Sequence, residues 1–387
     1  VDLGSGPSGR RNVRITGIEV LHLRAPADDP DGFDGSYDDV VVLVSTDTGH
    51  VGIGEAESLA PAVRGVIEGP GAHRHARALA EVLIGADPCD PIALWREMYE
   101  ATSSIGRRGL VLHAIGALDL ALWDLAGQAA GAPVSALLGG ARRDRVPVYG
   151  SIYPLPQTEA DVRATIVAAR AANLRAFKLC ADPWWFDDLA RTARLLGAAR
   201  EAAGAEATLI VDAALSYHRV EDGLALLPIL RGIGVAFLEA PLPLDDAAGH
   251  AALAGHGVRL GIGDLGLTHL AEFVELTERG AGDVWQPDIT VVGGLSGILP
   301  IVAEADRRGL EIVPHGYKST ITVAASSHLL ATRPSEPLME YSLSASPLRW
   351  ETTRERMDVL PDGTVEVPRS PGLGVTLNPE IRRYAVR

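Results

Sequence analysis

A chain of 387 residues, 47% of them hydrophobic, is long enough for one large domain and a smaller companion. Its formal net charge of −15 argues against nucleic-acid and anionic-membrane partners, whose phosphates call for a clustered positive field. With only Cys89 and Cys180 a disulfide framework is not expected, and a reducing, cytoplasmic setting fits.

In chain order, the opening VDLGSGPSGRRN is Gly/Ser-rich without an apolar signal core, so residues 1–11 read as a disordered leader. RITGIEVLHLRAP (14–26), VVVLV (40–44) and VGIGEAES (51–58) have strand character, with STDTGH as a turn between the last two. An Asp-, Gly- and Pro-rich loop separates the first two. Helical periodicity follows from about Ala76 to Gly131. Its greasiest stretch, GLVLHAIGALDLALWDLAG, is broken by His113, Asp119 and Asp124 and falls short of a clean membrane span.

From RVPVYGS (145–151) the pattern changes to short apolar runs separated by amphipathic, helix-length segments. The later runs are AFKLC, TLIVD, VAFLE, VRLGIGD, DVWQPD, LEIVPH and PLMEY. Strand and helix in alternation are the signature of a parallel β/α barrel. Each of these later runs ends in or near a polar residue: Lys178, Asp212, Glu239, Asp264, Asp288, His315, Glu340. They recur every 24 to 34 residues, by subtraction of their numbers, which is the length of one βα unit. All seven therefore fall at C-terminal strand ends, where barrel enzymes build their sites. A single Asp there is more often a helix cap than a ligand, but seven in register are not explained as caps.

Asp212, Glu239 and Asp264 come from consecutive strands, and three buried carboxylates require a compensating cation. An all-oxygen set suits Mg²⁺, with Mn²⁺ as the alternative. Asp288 and His315 sit on neighbouring strands of the opposite arc, where a carboxylate orients an imidazole as a general base. A cation facing a base suits removal of the proton alpha to a carboxylate, with Lys178 as a cationic partner for that carboxylate.

At this point the pattern resembles the enolase superfamily, specifically its mandelate racemase subgroup, which includes muconate lactonizing and acid sugar dehydratase-like enzymes. VGIGEAES and ALDLALWDLAGQAAGAPVSALLGG (117–140) carry the likeness in the first section, and VDA, LEAPL, QPDI and VPHGYKS carry it in the second. The resemblance implies a modified TIM barrel, (β/α)7β, over 141–351, and an α+β capping domain over 12–140 to which 352–387 return. The cap loops, here Ala25 to Asp39 and the segment Glu55 to Leu59, would choose the substrate. It also implies that Asp212, Glu239 and Asp264 are the metal ligands, Asp288 and His315 the catalytic dyad, and Glu340 the acid that bonds the substrate carboxylate or enediolate.

Three positions depart from the family pattern. Asp264 stands where Glu is usual, Ala214 where Asn is common, and Lys178-Leu179-Cys180 where a second lysine often serves as an opposite-face base. One base suffices for β-elimination of water, so dehydration of an acid sugar is expected over racemisation or epimerisation, with cycloisomerisation also open. Cys180 is a candidate weak acid or base, and a space-filling role competes with it. A barrel that binds a sugar acid without turning it over is the reading of another class. The expected partners are a small carboxylate substrate and further copies of this chain in a homo-oligomer. GIGDLG (261–266) matches a dinucleotide-binding pattern, but its fourth residue is Asp264 and the match is cheap in a chain with 42 glycines. Trp184 and Trp185, His218, His269, His328 and a C-terminal hairpin closing on the cap read as structural; Tyr317 and Lys318 are weaker site candidates.

Overall fold

The computed structural model describes residues 13–27, 35–153, 156–180, 188–214, 219–264 and 266–386. The expected leader, Trp184, Trp185, His218 and the centre of the 25–39 loop lie outside them.

The first domain is a three-stranded antiparallel sheet covered by helices. Strands β1 (Ile15–Arg24), β2 (Asp38–Thr46) and β3 (Val51–Ala56) pair in that order. Helices α1 (Ala60–Glu68), α2 (Leu79–Leu83), α3 (Pro91–Ala101), α4 (Leu110–Ala130) and α5 (Val134–Leu137) follow. The helical region thus begins earlier than expected and is broken into separate pieces. Gly52 and Gly54 explain how β3 reaches α4: a Cβ on either would stand 2.1 or 1.9 Å from the carbonyl oxygen of Ala121 or Ala117. Although α4 is apolar over 21 residues, it is a buried core helix. Its acids are spent locally. Asp119 accepts from Ser296 N at 2.8 Å, and Asp124 accepts from Leu373 N at 2.8 Å and Ile53 N at 3.1 Å.

The second domain alternates strand and helix. Its strands are β4 (Arg145–Ile152), β5 (Ala176–Cys180), β6 (Thr208–Asp212), β7 (Phe237–Glu239), β8 (Arg259–Ile262), β9 (Val284–Trp285), β10 (Glu311–Ile312) and β11 (Met339–Ser342). Helices α6 (Glu159–Ala171), α7 (Leu189–Ala203), α8 (Val220–Ile233), α9 (Ala247–Leu253), α10 (Leu270–Glu278), α11 (Gly294–Arg308) and α12 (Thr320–Ala331) connect them, so the barrel is (β/α)7β. The parallel ladder runs β10-β9-β8-β7-β6-β5-β4-β11. At the rim, Glu340 of β11 bridges to the far end of this path by accepting from Gly316 N at 3.0 Å.

Side chains other than the rim acids cap five of the connecting helices. Thr158, Asp188, Asp246, His269 and Ser319 accept from the first turns of α6, α7, α9, α10 and α12. The C-terminal segment corrects one expectation. Instead of a hairpin on the cap, β12 (Thr364–Glu366) pairs antiparallel with β4 of the barrel. The segment returns to the cap further on: Gly372 N donates to Ala132 O and Leu373 N to Asp124, and at the end Val386 N donates to His22 O and Arg382 pairs with Glu19. The GIGDLG glycines serve packing. A Cβ on Gly261 would lie 2.0 Å from Gln286 Oε1, and Gly263, at φ 122°, lies against Phe273.

Candidate active site

Strand alternation builds the site in layers. Tyr149, Ala176, Ile210, Phe237, Val284 and Val313 form an apolar plug inside the barrel, with Leu338 packed against it. Two residues further along the same strands stand Ser151, Lys178, Asp212, Glu239, Gln286, His315 and Glu340, all buried. One more step along reaches Tyr153, Cys180, Ala214 and Tyr317. Members of the second and third layers, with Asp264 and with Gly35 and Glu57 of the first domain, line a cavity of about 240 Å³.

On one arc the charges are crowded. Lys178, 1% exposed, donates to Glu239 Oε1 at 2.7 Å, lies 2.8 Å from Glu340 Oε1 and 3.5 Å from Asp212 Oδ2. Gln286 Nε2 donates to Glu239 Oε2 at 2.5 Å, and Cys180 Sγ donates to Asp212 Oδ2 at 3.4 Å. Asp212 and Glu239 are direct ladder partners on β6 and β7. Burial pushes the Glu239 carboxyl up to about 8; Lys178 opposes this, while Asp212, Glu340 and Asp264 add to it. Burial and then Asp212 likewise push the Cys180 thiol well up.

The opposite arc is a relay. His315 Nδ1 lies 2.6 Å from Asp288 Oδ2, and Asp288 Oδ1 accepts from Thr290 N and Oγ1, both at 2.6 Å. His315 Nε2 lies 3.7 Å from Glu340 Oε2. Burial disfavours the imidazolium, but Glu340 and Asp288 overcome it and push His315 up to about 10. Glu340 moves the other way: burial raises it, yet Lys178 and His315 hold it down at about 2. It therefore touches both arcs.

The donor set bears on a metal. Asp212, Glu239 and Asp264 are hard oxygen donors, and Lys178 is the one ammonium among them. Their chemistry fits Mg²⁺. Among the described residues, the group whose ligand atoms all lie within 4.8 Å is a different one, Glu57, Asp288 and His315. There Asp288 already spends both oxygens on Thr290 and His315, so that trio is a hydrogen-bonded relay beneath Glu57. On the acid arc, Lys178 and Gln286 hold the two oxygens of Glu239, and Cys180 holds one of Asp212.

Ser151, Gln286, Tyr153 and Glu57 were not singled out in the sequence. The first three were within reach, because they share the inward face of strands already identified. Glu57 falls in the segment Glu55 to Leu59 that the family resemblance marked as a cap loop, but strand period gave no signal for the residue itself, since its place depends on how one domain docks on the other. His269 caps α10, and His328 is enclosed between Ser135 N and Leu373 O, where burial drives it down to about 4.

A (β/α)7β barrel with a polar rim under a sheet-and-helix cap defines a class of enzymes, and comparison with known proteins identifies the family. Residues 34–139 match the mandelate racemase / muconate lactonizing enzyme N-terminal domain, and residues 161–381 match the enolase C-terminal domain-like family. The chain belongs to the mandelate racemase subgroup of the enolase superfamily. It is 31% identical over 353 residues to D-galactarolactone cycloisomerase of Agrobacterium fabrum, covering 88% of this chain and 89% of the relative. It is 33% identical to L-talarate/galactarate dehydratase of Salmonella typhimurium, covering 82% and 76%. The crystal structure of 3,6-anhydro-D-galactonate cycloisomerase from Zobellia galactanivorans superposes with a TM-score of 0.85 at 25% identity, covering 97% of this chain and 100% of that one.

Proposed function

We propose that this protein removes the proton alpha to the carboxylate of an acid sugar and expels the β-hydroxyl as water. The supporting observation is the pairing of His315 with Asp288 across one cavity from Lys178 and the acid arc. Asp288 fixes the ring through Nδ1, which leaves Nε2 as the atom that takes the α proton. Lys178 is the group that holds the substrate carboxylate, and Glu340, ionised beside it, orients the Lys178 ammonium. Asp212, Glu239 and Asp264 would hold Mg²⁺, or alternatively Mn²⁺, whose chemistry is to stabilise the negative charge formed on that carboxylate. The imidazolium then protonates the departing hydroxyl, and the resulting enol becomes a 2-keto-3-deoxy acid.

Cys180 follows Lys178 on the inward face, and its thiol is engaged by Asp212 and Ser151 at 3.4 and 3.8 Å. Inversion of the α carbon therefore lacks the opposite-face lysine, which supports elimination over racemisation. A second reading is favoured by two of the similar proteins being cycloisomerases. The same proton removal opens a ring when the β-oxygen belongs to a lactone or anhydro bridge.

Incubating acid sugars and their lactones with the protein and Mg²⁺, with 2-keto acid as the readout, tests the reading. Release of a 2-keto-3-deoxy acid from an open-chain sugar acid is the expected result. Turnover of cyclic substrates alone would replace the dehydratase with the cycloisomerase. Binding of acid sugars with no turnover of any would leave a binding protein.

A further inference from the structure

Glu55 is a fully buried carboxylate that the proposed reaction does not use. It belongs to VGIGEAES, on β3, where strand alternation turns Gly52 and Gly54 to α4 and turns Ile53 and Glu55 to the barrel. Ile53 shares an apolar cluster with Ile321, Ala324 and Ala325 of α12. Glu55 meets the start of that helix. Its Oε2 accepts from Ser319 Oγ at 2.6 Å, and its Oε1 accepts from Thr322 N at 2.6 Å and from Thr322 Oγ1. Ser319 Oγ already accepts from Ile321 N at 3.1 Å, so its own proton goes to Glu55. Three donors converging on two oxygens suit an ionised carboxylate, and the field of a helix N-terminus favours an anion there. The Asp39 carboxyl hydrogen-bonds Glu55 as well.

Thr322 joins this contact to the base. Glu55 holds it at both N and Oγ1, which confines its side chain to one rotamer. Its Cγ2 methyl then stands against Gly316, where a Cβ would lie only 2.9 Å from it. Gly316 follows His315 directly, and its N donates to Glu340 Oε2 at 3.0 Å. The backbone leaving the imidazole is therefore gripped between Glu340 of the floor and a methyl group that Glu55 fixes.

Resting on the reading of His315 as the base, we infer that Glu55 is a positioning residue for it: the carboxylate sets Thr322, Thr322 sets Gly316, and Gly316 sets the imidazole against Asp288. Glu55 lies on a strand rather than on a cap loop. The first domain thus contributes a rigid part to the base, while its loops stay free to select the substrate.

Two readouts separate positioning from mere docking of the domains. One is the split between kcat and KM for α-proton removal from acid sugars with Mg²⁺. The other is the proton NMR signal of His315 Nδ1–H in its bond to Asp288, assigned by its loss in His315→Asn and independent of any substrate. Thr322→Ser keeps the bonds to Glu55 and removes only the methyl. It should lower kcat by roughly tenfold with KM little changed, and shift the Nδ1–H signal, while the melting temperature stays near that of wild type. Glu55→Ala should lower kcat further and the melting temperature as well, whereas Glu55→Gln, whose amide oxygen still accepts from Thr322, should retain most of the activity. Losses in the Glu55→Ala/Thr322→Ser double variant should be less than additive, because both act through one contact. An unchanged kcat and NMR signal in Thr322→Ser overturns the inference while leaving the reaction standing, and that variant decides even where Glu55→Ala fails to fold. A signal that shifts in Thr322→Ser, in a protein that exchanges no acid sugar, supports the placement of the imidazole by Glu55 and overturns the proposed function.

Discussion

The floor of the cavity and the wall above it acquire their charges by different means. On the floor, Lys178, Asp212, Glu239, His315 and Glu340 each sit two residues beyond an apolar residue of the barrel plug, which brings Lys178 to Glu239 on one side and His315 to Asp288 on the other. On the wall, Gly35 and Glu57 arrive from a separate domain, and a side chain of the barrel loop, Lys318, fastens that domain by bonding Gly35 O and Asp38 O. Rigid strands suit atoms that must meet a reacting carbon, whereas loops can change which molecule is admitted without moving the floor. Chemistry and selectivity are therefore separable by mutation.

The largest effect belongs to the floor. His315→Asn should lower turnover by about 10³-fold or more with the melting temperature little changed, as measured by steady-state kinetics beside calorimetry. Removing divalent ions by chelation should abolish turnover, and Mg²⁺ should restore it in wild type but poorly in Glu239→Gln, followed by Mg²⁺ titration.

Asp288→Asn should cost about 10²-fold and also move the pH profile. His315 stands at about 10, above its ordinary 6.5, through Glu340 and Asp288 acting against burial. Activity as a base requires loss of that proton, so the rate rises with pH, and removing Asp288 shifts the rising limb to lower pH. In stability the same pairing counts fully below about pH 6.5 and is lost as pH climbs through about 10.

On the wall, Lys318→Met should raise KM by roughly tenfold while kcat falls less, because it loosens the fastening of Gly35 and Asp38 and leaves the base in place. The smallest effect lies away from both regions. Burial raises Asp119 to about 8, opposed by its bonds to Ser296 and Leu295. An acid whose folded value lies above its ordinary 3.8 weakens the fold progressively between those two pH values. Asp119→Asn should therefore flatten the decline in melting temperature from pH 4 to pH 8 without touching turnover.

What could be read from the sequence follows the same division. The barrel strands were visible because AFKLC and TLIVD end where β5 and β6 end, and the polar residues closing these runs recur with the βα repeat. Gln286 and Ser151 were missed although they obey the same alternation as Lys178. Glu57 was not reachable by period, because the docking of β3 on α4, through Gly52 and Gly54, decides where it points. In the C-terminal segment the return to the cap was legible but the strand was not: pairing of β12 with the exposed start of β4 depends on a free strand edge, and no local pattern announces one.

Proton exchange in heavy water tests the central claim most directly. With Mg²⁺ and a substrate acid, NMR should show solvent deuterium entering the α position, or the product derived from it, in wild type and not in His315→Asn, with the starting configuration at that carbon retained. Exchange that persists in His315→Asn, or deuterium that enters with inversion, would contradict a single imidazole working from one face.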